Sequence, residues 1–509
     1  MSATPGPAIR PLNGKEYLET LRDGREIWIH GERIDDVTAH PAFRNAARMM
    51  ARLYDALHDP SRKALLTAQA DTALRGPAHR YFLVPRSAQD LVGARDAIAE
   101  WARITYGWMG QSPDGGANLL AALGAAPEVY EPYHDNARRW YREGCERTLF
   151  FHNAISDLPT RREEGSQEVP IRVEEETGSG LIVSGAKVVA TCSALSHYGL
   201  IVHRGLRPSR GEEFSLSFVA PMSAQGIKLM CRPTSAMMTK HLGSPFDHPL
   251  TSRLDESDAI MIFDRALIPW ENVLVHGDAG GVRASYQRAA LTARASFQSS
   301  TRLSVKLEFV AGLLLRTVEA AGTGDLREVQ AALGEVLSYR NLFWGLTEAQ
   351  ARAPIPWTGN AVLPNPDHGL SFRIFSTLAH PRLRELIERT VGNGHVYLAA
   401  QAVDFMNPET RAYLERFVRG SNGHTALDRV KLTKLLWDAV GSEGLPRLET
   451  QSADGMRVDV LSAAASNGLV DHCKAFAERC LGEYDLEGWK VPDLVTPEEA
   501  LTPSRRRLW

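Results

Sequence analysis

Residues 148–162, TLFFHNAISDLPTRR, followed by residues 180–195, GLIVSGAKVVATCSAL, mark the place where the chain changes architecture. Upstream, apolar residues recur every three or four positions; downstream, they alternate. Asn153, Ser156, Asp157, Thr160, Arg161 and Arg162 crowd into the seam. Hydrogen-bonding side chains gathered where two layers meet are a common setting for a small-molecule or cofactor site. The stretch therefore predicts a domain boundary near residue 150 and a binding site beside it.

Working outward toward the N-terminus, Phe43, Ala46, Met49, Met50, Leu53 and Leu57 keep the spacing of one buried helix face. A second helix is predicted from the cap at Ser87 through Leu91, Ala94, Ile98 and Trp101 to Tyr106, and residues 110–116, GQSPDGG, read as the turn-rich loop that ends it. Toward the C-terminus, short alternating runs at 171–173, 181–183, 187–190, 200–202, 214–219, 227–230, 259–263 and 273–275 read as strands. With no long helices between them they predict an antiparallel barrel or sandwich. The longest connection, 231–258, reads as a lid. After residue 285 helical stripes return, one through Leu303, Leu307, Val310, Leu314 and Val318, another through Leu326, Val329, Leu333, Val336 and Leu337. The expected class is α+β: an N-terminal, mainly helical domain over 1–150, a middle β domain over 151–285, and a helical bundle with its tail over 286–509.

The 509 residues are 44% apolar and 23% charged, with 58 basic against 61 acidic side chains. A net charge of -3 gives no field to gather nucleic acid or an anionic membrane, so small molecules are the expected partners. The polar N-terminus and the lack of any long apolar run predict a cytoplasmic protein. Cys145, Cys192, Cys231, Cys473 and Cys480 are scattered without a CxxC pair, as expected of reduced thiols. No HExxH, GxSxG or GxGxxG signature occurs, and no metal is expected; His241 and His248 flank a Gly-Ser-Pro turn without ligand spacing. Residues 180–187, GLIVSGAK, approach a phosphate-binding loop but lie within strand pattern.

A longer set of strings resembles one family. DGREIWIHGER (23–33), HPAFRNAA (40–47), DAIAEWARITYGWMG (96–110), VSGAKVVATCSALSHY (183–198), GSPFDHPLTSRLDESDAI (243–260), LIPWENVLV (267–275), RGSNG (419–423), KLLWDAVGSEG (434–444) and LGEYDLEGW (481–489) are similar, in order, to the oxygenase components of the 4-hydroxyphenylacetate 3-monooxygenase family. The resemblance implies the acyl-CoA dehydrogenase-like fold and a homotetramer built as a dimer of dimers. It also implies FAD used as FADH2, delivered by a separate NAD(P)H-flavin reductase, with O2 as co-substrate. In such enzymes a flavin C4a-hydroperoxide passes one oxygen atom to the substrate, which requires a dry pocket.

Carried over position by position, the resemblance places flavin contacts on Asn153, Ala154 and Ile155, on Pro159, Thr160, Arg161 and Arg162, and on Thr191 and Ser193. The guanidinium forks of the arginine pair suit a diphosphate or a ring carbonyl. It places the substrate against Gln111, Ser112, Pro113, Asp114, Gly115 and Asn153, and here the chain departs from its family. The family loop G-R-[ST]-P-D-Y reads Gly110-Gln-Ser-Pro-Asp-Gly115, and the family's catalytic histidine is matched by Asn153. Catalytic roles therefore fall to Asn153 and Gln111, with the adjacent His152 as the candidate replacement base. Asparagine and glutamine can hydrogen-bond but cannot titrate, and Gly115-Gly116 is expected to loosen the loop.

The resulting expectation is a reduced-flavin-dependent monooxygenase acting on an aromatic or nitrogen-containing small molecule other than 4-hydroxyphenylacetate. An ortho-hydroxylase of 4-hydroxyphenylacetate or another phenol is the alternative within the class, and a catalytically silent flavin-binding homologue the alternative outside it.

Overall fold

The computed structural model describes residues 9–69, 74–157, 169–202, 212–392 and 400–441, with short pieces between 463 and 489. The chain divides into two compact units, 1–451 and 452–509. In the second, a small hairpin pairs Tyr484–Asp485 with Gly488–Trp489.

In the first unit the alternating stretches form two sheets. The larger runs in the order Glu32–Ile34, Glu26–Ile29, Ile227–Cys231, Ala259–Pro269, Gly180–Lys187, Arg172–Thr177; the smaller runs Val273–His276, Leu216–Pro221, Tyr198–Ile201, Phe151–Ala154. Phe218 of the smaller sheet meets Phe263 of the larger edge to face, ring centroids 5.6 Å apart, and both rings are buried. Burial of each contributes about 1.5–3 kcal/mol, which makes their contact part of the core between the sheets. The α+β architecture expected from the sequence is the one observed.

Four details differ from the expectation. The sheets are not purely antiparallel: Glu26–Ile29 pairs parallel with Ile227–Cys231, and Phe151–Ala154 parallel with Tyr198–Ile201. The first pairing draws residues near the N-terminus into the middle sheet, because Ile27 and Ile29 find burial there. The runs at 181–183 and 187–190 are not two strands: a single strand, Gly180–Lys187, ends at Lys187, and at Val189 the backbone turns to a φ of 54°.

The connection 231–258 is anchored rather than an open lid. Its first part forms the helix Ser235–Leu242, capped by the Thr234 side chain accepting from the Met237 N–H. Its second part is held by Asp438 of the Ala426–Val440 helix, whose carboxylate accepts from the Leu250 N–H (2.7 Å), the Thr251 N–H (3.0 Å) and the Thr251 hydroxyl (2.8 Å).

The helical stripes fold as their spacing requires. Ser87 caps the Ala88–Ile104 helix by accepting from the Asp90 N–H. Leu303, Leu307, Val310, Leu314 and Val318 are all buried along the helix Leu291–Ala321. In the next helix, Arg327–Arg352, Val329 and Val336 are buried while Leu337 is exposed, so the second stripe is narrower than predicted.

Candidate active site

Residues 110–116 are not the loop the sequence suggests. A helix, Pro113–Ala125, begins inside them, with Ser112 at its N-cap and Pro113 at its first position, where a missing N–H costs nothing. Two close approaches account for the glycines. A Cβ on Gly116 would stand 1.8 Å from the Phe151 carbonyl oxygen, so the helix lies directly on the Phe151–Ala154 strand. A Cβ on Gly115 would stand 2.8 Å from the Gly110 carbonyl oxygen and 3.3 Å from the Gln111 side-chain oxygen. The pair is packed rather than loose.

The same turn separates two kinds of polar residue. Ser112 and Asp114, expected to line the substrate, are fully buried in a structural clamp instead. The Arg302 guanidinium donates to Asp114 Oδ1 (3.1 Å) and Oδ2 (3.3 Å), to the Trp108 carbonyl (3.1 Å) and to the Ser112 hydroxyl. Pro113 is likewise buried. These donors and acceptors satisfy one another, as buried charges must.

Gln111, Gly115 and Asn153, the three departures from the family pattern, come together. Asn153 is the third residue of its strand, and its amide Nδ2 donates to the Gly115 carbonyl (3.2 Å). Its Oδ1 is buried with no hydrogen-bond partner among the described residues. The Gln111 N–H donates to the Glu256 carboxylate at 2.6 Å, and the Gly110 carbonyl accepts from the Gln298 amide at 2.9 Å.

His152 does not join them. Successive strand residues face opposite ways, and its ring lies against Ser196, with Nδ1 2.8 Å from the hydroxyl, and close to Gly199. Burial, reinforced by the nearby Arg25 charge, pushes its pKa down to about 3, so the ring is neutral at ordinary pH. It is no stand-in for the missing histidine.

Of the positions assigned to flavin, the turn at Thr191 and Ser193 is rigidly built. Cys192 takes a left-handed φ of 60°. The turn's N–H groups at Ala190 and Cys192 donate to the carbonyls of Ala259 and Ser257. Arg25 donates from behind to the Ala194 and Ser196 carbonyls, and the Tyr17 hydroxyl to the Leu195 carbonyl. Thr191 spends its hydroxyl proton on Asp258 at 2.6 Å, whereas the Ser193 hydroxyl is buried without a partner among the described residues. Ala154 is buried and Ile155 partly so. Pro159, Thr160, Arg161 and Arg162 lie outside the described residues. Lys187, the lysine of the phosphate-loop-like string, is buried and donates to Asp157 at 2.7 Å. The unsatisfied buried Ser193 hydroxyl fits a polar planar cofactor such as FAD, which carries donors and acceptors along its ring edge.

Two neighbours of the site escaped the sequence reading. Glu256 stands between the two segments, accepting from Gln111 and lying 4.0 Å from the Cys192 thiol. Gln298 belongs to a buried polar row, Arg294, Gln298, Arg302 and Lys306, at four-residue spacing along a helix otherwise rich in apolar residues. That spacing was visible in the sequence and was the available signal.

The chain matches two family models, the N-terminal part of 4-hydroxyphenylacetate 3-hydroxylase over residues 13–275 and its C-terminal part over 282–482. It is 50% identical over 505 residues, 97% of this chain and 95% of the relative, to the Streptomyces globisporus (3S)-3-amino-3-(3-chloro-4-hydroxyphenyl)propanoyl-[peptidyl-carrier protein SgcC2] monooxygenase. It is 47% identical over 496 residues, 96% of this chain and 95% of the relative, to the oxygenase component of a Rhodococcus 4-nitrophenol 2-monooxygenase. The crystal structure of a 4-hydroxyphenylacetate 3-monooxygenase oxygenase component complexed with FAD superposes with a TM-score of 0.85 at 27% identity, covering 92% of this chain and 99% of that one. Sequence and architecture agree from end to end: the chain belongs to the 4-hydroxyphenylacetate 3-hydroxylase family.

Proposed function

We propose that this oxygenase component, an FADH2-utilising monooxygenase, hydroxylates an aromatic small molecule other than 4-hydroxyphenylacetate. The observation that carries this reading is the meeting of Gln111, Gly115 and Asn153 at one point, with no titratable side chain among them. A histidine near neutrality could take a phenolic proton; an amide cannot.

Reduced FAD, when bound, supplies the activation of dioxygen. The protein's part is to hold and to exclude. We assign ring contacts to Asn153, Ala154, Ile155, Thr191 and Ser193, and contacts from Pro159, Thr160, Arg161 and Arg162 to the remainder of the cofactor. Among the described residues the Ser193 hydroxyl has no partner, which leaves it for the cofactor, and Asn153 Oδ1 has none, which leaves it for the substrate. Gln111, Gly115 and Asn153 orient the ring to be hydroxylated, while Leu119, one turn beyond Gly115, and Phe151 keep water out. A substrate that is electron-rich without ionisation needs no base.

We further propose that a separate NAD(P)H-flavin reductase delivers the flavin, in the cytoplasm, and that the chain assembles as a homotetramer arranged as a dimer of dimers. Val403, Met406, Tyr413 and Phe417 are from 59% to 78% exposed on consecutive short helices, which supports a contact with another copy there. No helix among the described residues is long and apolar enough to cross a membrane.

The test is an assay with reduced FAD, oxygen and 4-hydroxyphenylacetate. Hydrogen peroxide is the expected main product; tightly coupled formation of the catechol overturns the reading.

A further inference from the structure

We infer that the cleft at Asn153 recognises its aromatic substrate through an uncharged hydrogen-bond donor, a neutral hydroxyl, amino or ring N–H group, and disfavours phenolates. The inference rests on the reading of residues 111, 115 and 153 as the substrate end of the site.

The Gly115 carbonyl can only accept, so the Asn153 amide must turn its NH2 toward it, and this fixes which end of the amide is left over. The leftover atom is Oδ1, an acceptor, buried and without a partner among the described residues. Such an atom is costly until a donor reaches it. The Gln111 side-chain oxygen, another acceptor, stands 3.3 Å from where a Cβ on Gly115 would lie. A phenolate oxygen would meet a lone pair at Oδ1.

The surrounding charges point the same way. Arg302 is committed to Asp114, both fully buried. Lys306 lies over the Trp108 ring at 4.9 Å and Arg253 over the Tyr106 ring at 5.9 Å. Lys187 is paired with Asp157, and Gln298 is tied to the Gly110 carbonyl. His152 faces the other side of its strand, against Ser196. The charged group in direct contact with the Gln111 backbone is the Glu256 carboxylate, whose sign opposes a second anion. Acceptors and a carboxylate border the cleft, and among the described residues Arg302, Lys187 and Lys306 are engaged elsewhere.

Two probes of nearly equal shape test the inference on the full chain, with and without oxidised FAD: 4-nitrophenol, whose visible band reports ionisation, and 4-nitroaniline, which is a neutral donor. At the pH where free 4-nitrophenol is half ionised, binding is expected to diminish the phenolate band. Its apparent pKa should rise by about one unit or more, a tenfold preference for the neutral form, and 4-nitroaniline should compete for the same site. Asn153→Leu should abolish the preference and Asn153→His reverse it; Asn153→Ser, which keeps an acceptor, serves if the leucine variant does not fold. Growth of the phenolate band on binding, weakened by Asn153→Leu, overturns the inference but leaves the site in place. Absence of binding by either probe, or binding indifferent to residue 153, overturns the assignment of the site itself.

Discussion

Ser112 and Asp114 lie next in sequence to Gln111 and Gly115, yet the two pairs live in opposite electrostatic conditions. The first pair, with Arg302, forms a closed set in which each buried polar group finds a protein partner. The second, with Asn153, contains a buried acceptor that finds none among the described residues. One turn of chain thus does two jobs, and the contrast teaches which residues of a conserved-looking motif build the fold and which face a ligand. Satisfied buried polar groups hold a scaffold; an unsatisfied one is a place kept for something else.

The comparison can be broken most severely at the clamp. Asp114→Ala leaves the Arg302 charge buried without its carboxylate, and is expected to cost about 3–5 kcal/mol, read as a lowered midpoint in denaturant unfolding. The open side should respond in activity instead. Gln111→Arg combined with Asn153→His restores a cation and a titratable ring, and should raise coupled hydroxylation of 4-hydroxyphenylacetate by up to about 10²-fold, measured as catechol formed per flavin oxidised. Adding Gly115→Tyr should give back part of this gain, because a Cβ there already crowds the Gly110 carbonyl. Between the two lies Gly116→Ala, whose methyl must push the helix off the Phe151 strand; a loss of about 1–3 kcal/mol is expected, together with weaker probe binding at Asn153.

At neutral pH the smallest effect belongs to the strand neighbours. The folded-state pKa of His152 is lowered to about 3, below its unfolded value, so the unfolded chain takes up the proton first as pH falls. The stability this ring contributes is full above its unfolded pKa and is lost as pH drops toward 3, at about 1.4 kcal/mol per pH unit. His79 and His197, lowered to about 3 by burial as well, add to the same acid sensitivity. His152→Gln should flatten the slope of stability against pH below neutrality by one such increment, while Asn153→Gln should leave the slope untouched.

Much of this was legible in the sequence because it is local. Ser87 announces a helix start by its own side chain, and the run 214–219 announces a strand by alternation. The three departures at 111, 115 and 153 were recognisable against the family pattern, and their meeting in space follows from the helix lying on the strand. The clamp was not legible: Asp114 and Arg302 are 188 positions apart, and nothing near residue 114 signals its partner. The helix start at Pro113 was missed for a related reason. Two glycines weaken a helix in isolation, and here close packing on Phe151 outweighs that local preference. Parallel pairing of Glu26–Ile29 with Ile227–Cys231 is equally nonlocal.

Asp438 carries a consequence for anyone who would cut or recombine this chain. Its carboxylate fixes Leu250 and Thr251 from a helix that comes almost two hundred residues later, and five residues beyond Thr251 stands Glu256 on the Gln111 backbone. The middle sheets are therefore not a detachable module. A chimera that exchanges residues 151–285 between two relatives must exchange the Ala426–Val440 helix with them, or the cleft inherits its walls from one parent and the anchor of those walls from the other.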